Sequence, residues 1–192
     1  MPTALNPEFT PIWPLTVGQY HAMIDMGILG PDDPVELLEG VIVQKMSKNP
    51  PHRIATRATR QALERIIPQG WYVDEQEPIT LGSSEPEPDV AVIRGDTRDY
   101  VKRHPGTGDA GLVVEISDAT ADRDRLVKKR ICAVAGIGCY WLIDLNRRQL
   151  EVYTNPVETD YLSCMIYRAG DLVEVTLNGM IVGPVPVRDL LP

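Results

Sequence analysis

An aspartate, a glutamate and a lysine, each set beside an apolar run, are the residues of this chain best suited to chemistry. Asp89 opens the stretch Pro88-Asp89-Val90-Ala91-Val92-Ile93, and Glu115 stands inside Leu112-Val113-Val114-Glu115-Ile116-Ser117. Lys128 follows on a charged segment with helical spacing, ahead of Tyr140-Trp141-Leu142-Ile143-Asp144. An ionised carboxylate at the end of a buried strand is costly unless something compensates it. Two carboxylates about 4 Å apart, at an effective dielectric of about 20, repel by roughly 4 kcal/mol. A divalent cation with an ammonium beside it turns that repulsion into a binding site. The residues alone leave plainer alternatives open. Asp89 can bond turn amides at a strand entry, and Glu115 can pair with Lys128 or Arg130 in a buried salt bridge.

The surrounding sequence predicts the elements that would place these groups. Residues 1–14 read as an extended arm, and Thr16 as the cap of a helix over Val17–Leu29 with Tyr20, Met23, Ile24 and Ile28 on one face. His21 within it reads as a surface or rim residue rather than a ligand. Val35–Glu39 and Val41–Met46 flank Gly40 as two strands joined by a tight hairpin or a bulged bend. Glu36 and Glu39 differ by an odd number of positions, so at most one faces any site; both read equally well as solvated edge residues. After a Lys48–Pro51 loop, His52 opens a helix to about Ile67. Its expected apolar face is Ile54, Ala58, Ala62, Leu63 and Ile66. Arg53, Arg57 and Arg60 form a stripe on another face, which is either phosphate-facing or simply solvated.

Strands are expected at 71–75 and 78–81. A rigid, proline-rich entry leads to the strand from Asp89. A polar loop at 94–111, with one helical turn near Tyr100–Arg103 and an exposed His104, precedes the central strand 111–117. The next helix starts near Asp122, read as its cap, and buries Val127, Ile131 and Val134, with Leu126 and Ala133 alongside; Lys128 lies one position off that face and can reach inward along its stem. Further strands are expected at 139–145, 149–154, 161–168, 172–177 and 180–182.

With 192 residues, 43% of them apolar and 24% charged, the chain suits one domain with a real core, taken here as 1–192. No apolar run has the length of a membrane span, and the first residues lack a signal-peptide pattern. Three cysteines without a CxxC pair fit a reducing, cytoplasmic setting and inert, half-buried thiols, not a disulfide framework or zinc site. A net charge of −8, from 27 acids and 19 bases, argues against a nonspecific nucleic-acid binder. Some of that negative charge can belong to a cation site.

Taken in order, these pieces resemble the PD-(D/E)XK nuclease superfamily, and more closely the Uma-type family of bacterial proteins that look like restriction endonucleases. The matching pieces are Glu36-Leu37-Leu38-Glu39-Gly40, Pro51-His52, Pro88-Asp89-Val90-Ala91-Val92, Val113-Val114-Glu115-Ile116-Ser117, Lys128 ahead of Gly136, and Tyr140-Trp141-Leu142-Ile143-Asp144. They span nearly the whole chain. The resemblance implies an α/β restriction-endonuclease-like core: a central mixed sheet flanked by helices, with an added N-terminal helix and hairpin and C-terminal antiparallel strands. It implies a metal-dependent endonuclease acting on DNA. Asp89, Glu115 and the Ile116 carbonyl would hold Mg2+, or Mn2+ in its place, and Lys128 would orient water or neutralise charge. Glu36, or failing it Glu39, would complete the shell. His52 would contact a phosphate or orient Glu36, with Arg53, Arg57 and Arg60 toward the nucleic acid. No organic cofactor is expected, and a homodimer suits double-strand cutting. Two departures stand out: Ser117 replaces the usual lysine two residues after the glutamate, its role passing to Lys128, and Cys132 replaces an aromatic residue. The alternative is a nuclease-derived module that binds nucleic acid or a protein partner without cutting.

Overall fold

The computed structural model describes residues 12–45, 48–118 and 122–192. Most of the expected N-terminal arm, and Met46 at the end of the expected hairpin, lie outside them. Helix α1 (Val17–Asp25) starts at Thr16, whose hydroxyl accepts from Gln19 N–H while the Gln19 side chain returns a bond to Thr16 N–H. It ends four residues short of the expected Leu29, and Ile24 and Ile28 are exposed; Tyr20 alone of the expected face is fully buried.

Strands β1 (Val35–Leu38) and β2 (Val41–Gln44) form the expected hairpin, turning on Glu39 and Gly40 with φ of +50° and +80°. The hairpin is bonded to the 83–87 loop: Gly40 N–H donates to Ser83 O, Glu85 N–H to Leu37 O, and Glu39 N–H to Ser84 Oγ. Leu15 N–H donates to Gly40 O from the other side. A Cβ on Gly40 would lie 2.6 Å from Pro14 Cβ and 2.9 Å from Leu15 O.

Helix α2 (Pro50–Glu64) begins two residues earlier than expected. Asn49 is its cap, accepting from His52 N–H, and the two prolines occupy the first turn, where a missing N–H costs nothing. Its buried face is Ala55, Thr56, Thr59, Ala62 and Leu63; Ile54 is exposed. Apolar periodicity misplaced the stripe because two threonines are buried there, the Thr56 hydroxyl donating to His52 O within the helix.

The main sheet has six strands in the order β3-β4-β5-β6-β7-β8: β3 (Trp71–Asp74), β4 (Val90–Arg94), β5 (Ala110–Ser117), β6 (Cys139–Asp144), β7 (Gln149–Val157) and β8 (Asp160–Arg168). Only β5 and β6 are parallel, joined by helix α3 (Asp122–Val134); every other neighbour pair is antiparallel. The β4–β5 ladder carries a register shift between Val92 and Ile93. Residues 78–81 make isolated bridges instead of the expected strand, and the helical turn after β4 falls at Thr97–Tyr100. Strands β9 (Leu172–Leu177) and β10 (Met180–Pro186) form a separate hairpin.

Alternation along the strands splits the core in two. Val90, Val92, Leu112, Val114, Trp141 and Ile143 join α2 and the β9–β10 hairpin. Ala91, Ile93, Val113, Tyr140 and Leu142 join α3 and Leu38 of the first hairpin. Asp122, expected as the cap of α3, is its first helical residue, and the side chains of Arg123 and Arg125 lie outside the description. The buried residues of α3 include Lys128, Ile131, Cys132 and Ala133, whereas Val134 and Leu126 are exposed. Lys128 therefore lies on the buried face, not beside it. Cys132 and Cys139 are fully buried, not half-buried, and burial raises both thiols, Cys139 to about 12; Cys164 is exposed.

Gly40→Ala should cost about 1–2 kcal/mol for the left-handed backbone alone, and more for displacing Leu15. The urea midpoint should fall with little change in slope; an unchanged midpoint would show that the turn tolerates a side chain.

Candidate active site

Four elements converge at the ends of β4 and β5. Asp89 enters β4 directly behind Pro88, and its Oδ2 accepts from Ile116 N–H at 2.9 Å. Glu115 shares the strand parity of Val113 and so faces α3. From α3, Lys128 brings its Nζ to 3.2 Å from Glu115 Oε1 and 3.2 Å from Glu36 Oε2. The same Glu36 oxygen accepts from Glu87 N–H at 3.0 Å, and Lys128 also reaches Glu87 O at 3.5 Å. Glu36, Asp89, Glu115 and Lys128 are all buried, between 4% and 7% exposed.

The hairpin separates its two glutamates as strand parity requires. Glu36 turns inward to Lys128, and Glu39 turns outward to an ion pair with Arg130. The reading of both as solvated edge residues is thus wrong for Glu36. Arg130, entertained above as a partner of Glu115, is taken by Glu39.

His52, in the first turn of α2, sets its Nε2 3.1 Å from Asp89 Oδ2. It engages this acid, not Glu36. The cap residue Asn49 also donates from Nδ2 to Asp118 Oδ2 at 2.5 Å, tying the start of α2 to the end of β5. Arg53, Arg57 and Arg60 are exposed along α2. Arg60 pairs with Glu64 as its spacing predicts, and with Glu75; among the described residues Arg53 and Arg57 make no ion pair. Ile116 has its side chain in the α2-facing core while its N–H serves Asp89. Ser117 lies at the end of β5, opposite Asp144 in the register with β6.

Burial raises the Glu115 carboxyl well above its ordinary value of 4.5; Lys128 pulls it down, and the neighbouring Asp89 and Glu36 push it up again. The ammonium does not offset what burial and two further acids impose.

A second cluster was missed from sequence. His21 Nε2 lies 2.8 Å from both oxygens of Glu85, and the donor atoms of His21, Glu85 and His104 all fall within 4.8 Å of one another, a spacing that can hold a divalent metal. It is the one such group of three among the described residues. Its members are 64 and 19 positions apart, so no local motif could announce it.

Comparison with known proteins decides the relationship. A family-wide sequence model described as "Uma2: Putative restriction endonuclease" matches residues 17–182. The chain belongs to the Uma2 family. No curated protein matches it. A crystal structure from Anabaena variabilis, described as "a putative nuclease belonging to DUF820", is similar with a TM-score of 0.68 at 19% identity, over 92% of this Uma2 chain and 97% of the other. The mixed sheet with flanking helices and added terminal elements is the restriction-endonuclease-like α/β core that the motifs imply. No helix among the described residues of this Uma2 protein is long and apolar enough to cross a membrane.

The Glu115 shift has a sign. A carboxyl raised on folding binds more protons in the native state, so stability falls as pH climbs from about 4.5 through the folded value. In chelator, the melting temperature of the wild type should decline over that window, and that of Glu115→Gln should decline less. Parallel pH profiles by circular dichroism would remove Glu115 as the source.

Proposed function

We propose that this protein is a metal-dependent endonuclease that hydrolyses phosphodiester bonds, with DNA as its substrate. The observation that carries the reading is a buried ammonium held at 3.2 Å between two carboxylates, beside a third acid anchored on the neighbouring strand. The donor set fits a hard cation. Asp89 and Glu115 offer carboxylate oxygen and Ile116 a carbonyl, which suit Mg2+ or Mn2+ better than softer ions. Burial, with Asp89 and Glu36 adding to it against the pull of Lys128, raises the Glu115 carboxyl, and a cation bound there would favour its ionised form. Bound there, the ion would supply a more acidic water and neutralise charge on the scissile phosphate.

The chain's own residues divide the remaining work. Asp89 accepts from Ile116 N–H, and His52 Nε2 lies 3.1 Å from the same oxygen, so its carboxylate is preset in direction. Lys128 places positive charge where it stabilises a phosphoryl oxygen as negative charge develops. Glu36, whose Oε2 takes both the ammonium and Glu87 N–H, is a positioning residue for that lysine. Glu39 is spent on Arg130. Lys128 thus stands in for the lysine that Ser117 replaces, arriving from the adjoining helix. Arg53 and Arg57, exposed on the helix that begins at His52, suit contact with backbone phosphates, which position a duplex without reading its sequence.

A second reading, a nuclease fold that binds nucleic acid or a protein partner without cutting, draws on the same lysine. Its two carboxylate partners already occupy it, and the net charge of −8 favours a protein partner over a polyanion.

Supercoiled plasmid with magnesium or manganese separates the two. The wild type should nick, and Asp89→Asn, Glu115→Gln and Lys128→Ala should each lose on the order of 100-fold or more, the scale of removing one preorganised charge-stabilising group. Calorimetry should show weaker magnesium binding by Asp89→Asn. Nicking that survives both acid substitutions would discard this site. DNA binding without nicking in any metal would favour the second reading.

A further inference from the structure

We propose that His21, Glu85 and His104 form a second metal site, for a transition-metal ion of the zinc class, chemically distinct from the carboxylate cluster. Two imidazoles and one carboxylate are nitrogen-rich, borderline donors. That set selects Zn2+, Co2+ or Ni2+ and is a poor match for Mg2+, which takes oxygen and retains its waters.

Three parts of the chain deliver it. His21 comes from α1, Glu85 from the loop bonded to the first hairpin, and His104 from the loop after Thr97–Tyr100. Glu85 is fixed before any ion arrives. It is 3% exposed, its N–H is bonded to Leu37 O, and its Oε2 accepts from Thr80 Oγ1 at 2.7 Å. A hydroxyl behind a ligating carboxylate orients it, as outer partners of metal ligands do. The His21 and His104 rings stand 6.1 Å apart, tilted by 60°.

Tetrahedral bonds of about 2.0–2.1 Å put ligand atoms roughly 3.3 Å apart. The 2.8 Å contact of His21 with each Glu85 oxygen must therefore open by about half an ångström to admit an ion between them. All three donor atoms already fall within 4.8 Å of one another. His21, Thr80 and His104 also line a cavity of about 670 Å³ that gives an ion a route in, and water a place at the fourth position.

The ion would act as a clamp. It would join α1 and the 101–106 loop to Glu85, four residues ahead of Asp89 in a segment that also bonds Glu36 through Glu87 N–H. The function is structural support of the strand entry, and it does not depend on cleavage.

Equilibrium dialysis of the full chain against zinc, with excess magnesium to occupy the oxygen site, should find one ion per chain at neutral pH. His21→Ala and His104→Ala should each weaken zinc by on the order of 10–100-fold or more, and Asp89→Asn should leave it unchanged. Cobalt in the same site should give visible d–d bands that His104→Ala, a loop substitution, removes while the far-ultraviolet circular dichroism stays native. Absence of zinc uptake would overturn the proposal. So would uptake indifferent to both histidine variants, or uptake lost in Asp89→Asn as fully as in His104→Ala.

Discussion

A buried ammonium with its aliphatic stem in the core organises this protein. Lys128 enters the interior on the same helical face as Ile131 and Cys132, and it is tolerable there because Glu36 and Glu115 both lie 3.2 Å from its nitrogen. Breaking one partner of a buried pair leaves an uncompensated charge, a cost of about 3–5 kcal/mol. The lysine thus fixes the rotation of α3 and the seating of the first hairpin against the sheet. The polar centre is costly in charge balance: Asp89 adds a third carboxylate to the two that pair with Lys128, and burial together with these neighbours raises the Glu115 carboxyl.

Two backbone amides and one side-chain amide support the site. Ile116 N–H donates to Asp89, Glu87 N–H donates to Glu36, and the Asn49 side chain joins the start of α2 to Asp118 at the end of β5. Such contacts are directional, and they tie the acids to the sheet and its loops.

Long apolar strands were legible because a strand buried on both faces has few other readings: residues 111–117 and 139–144 were found nearly to the residue. Helix faces were less legible. In α2 two threonines are buried and Ile54 is exposed, and in α3 a lysine is buried while Val134 is exposed, so a pattern of apolar letters points off-axis wherever a polar residue is compensated. Glu36 and Glu39 could be said to diverge, but not which one turned inward, since that depends on how the hairpin docks on the 83–87 loop. Asp89, Glu115 and Lys128 stand out by type beside apolar runs, a family resemblance supplies their roles, and their distances come from the fold. The His21, Glu85 and His104 grouping had no signal at all, because it joins a helix and two loops that meet only after folding.

The register shift between Val92 and Ile93 separates the two ends of the β4–β5 ladder. On its near side Val90 pairs with Val114, which sets Asp89 beside Glu115 and Ile116; on its far side the strands run into the long connection that carries His104. A strand slip of one residue would reverse the facing of every side chain. The bulge absorbs such an offset locally. The two ends of one ladder thus take separate tasks: the near end holds the acids in place, and the far end steers the connection that brings His104 back toward Glu85.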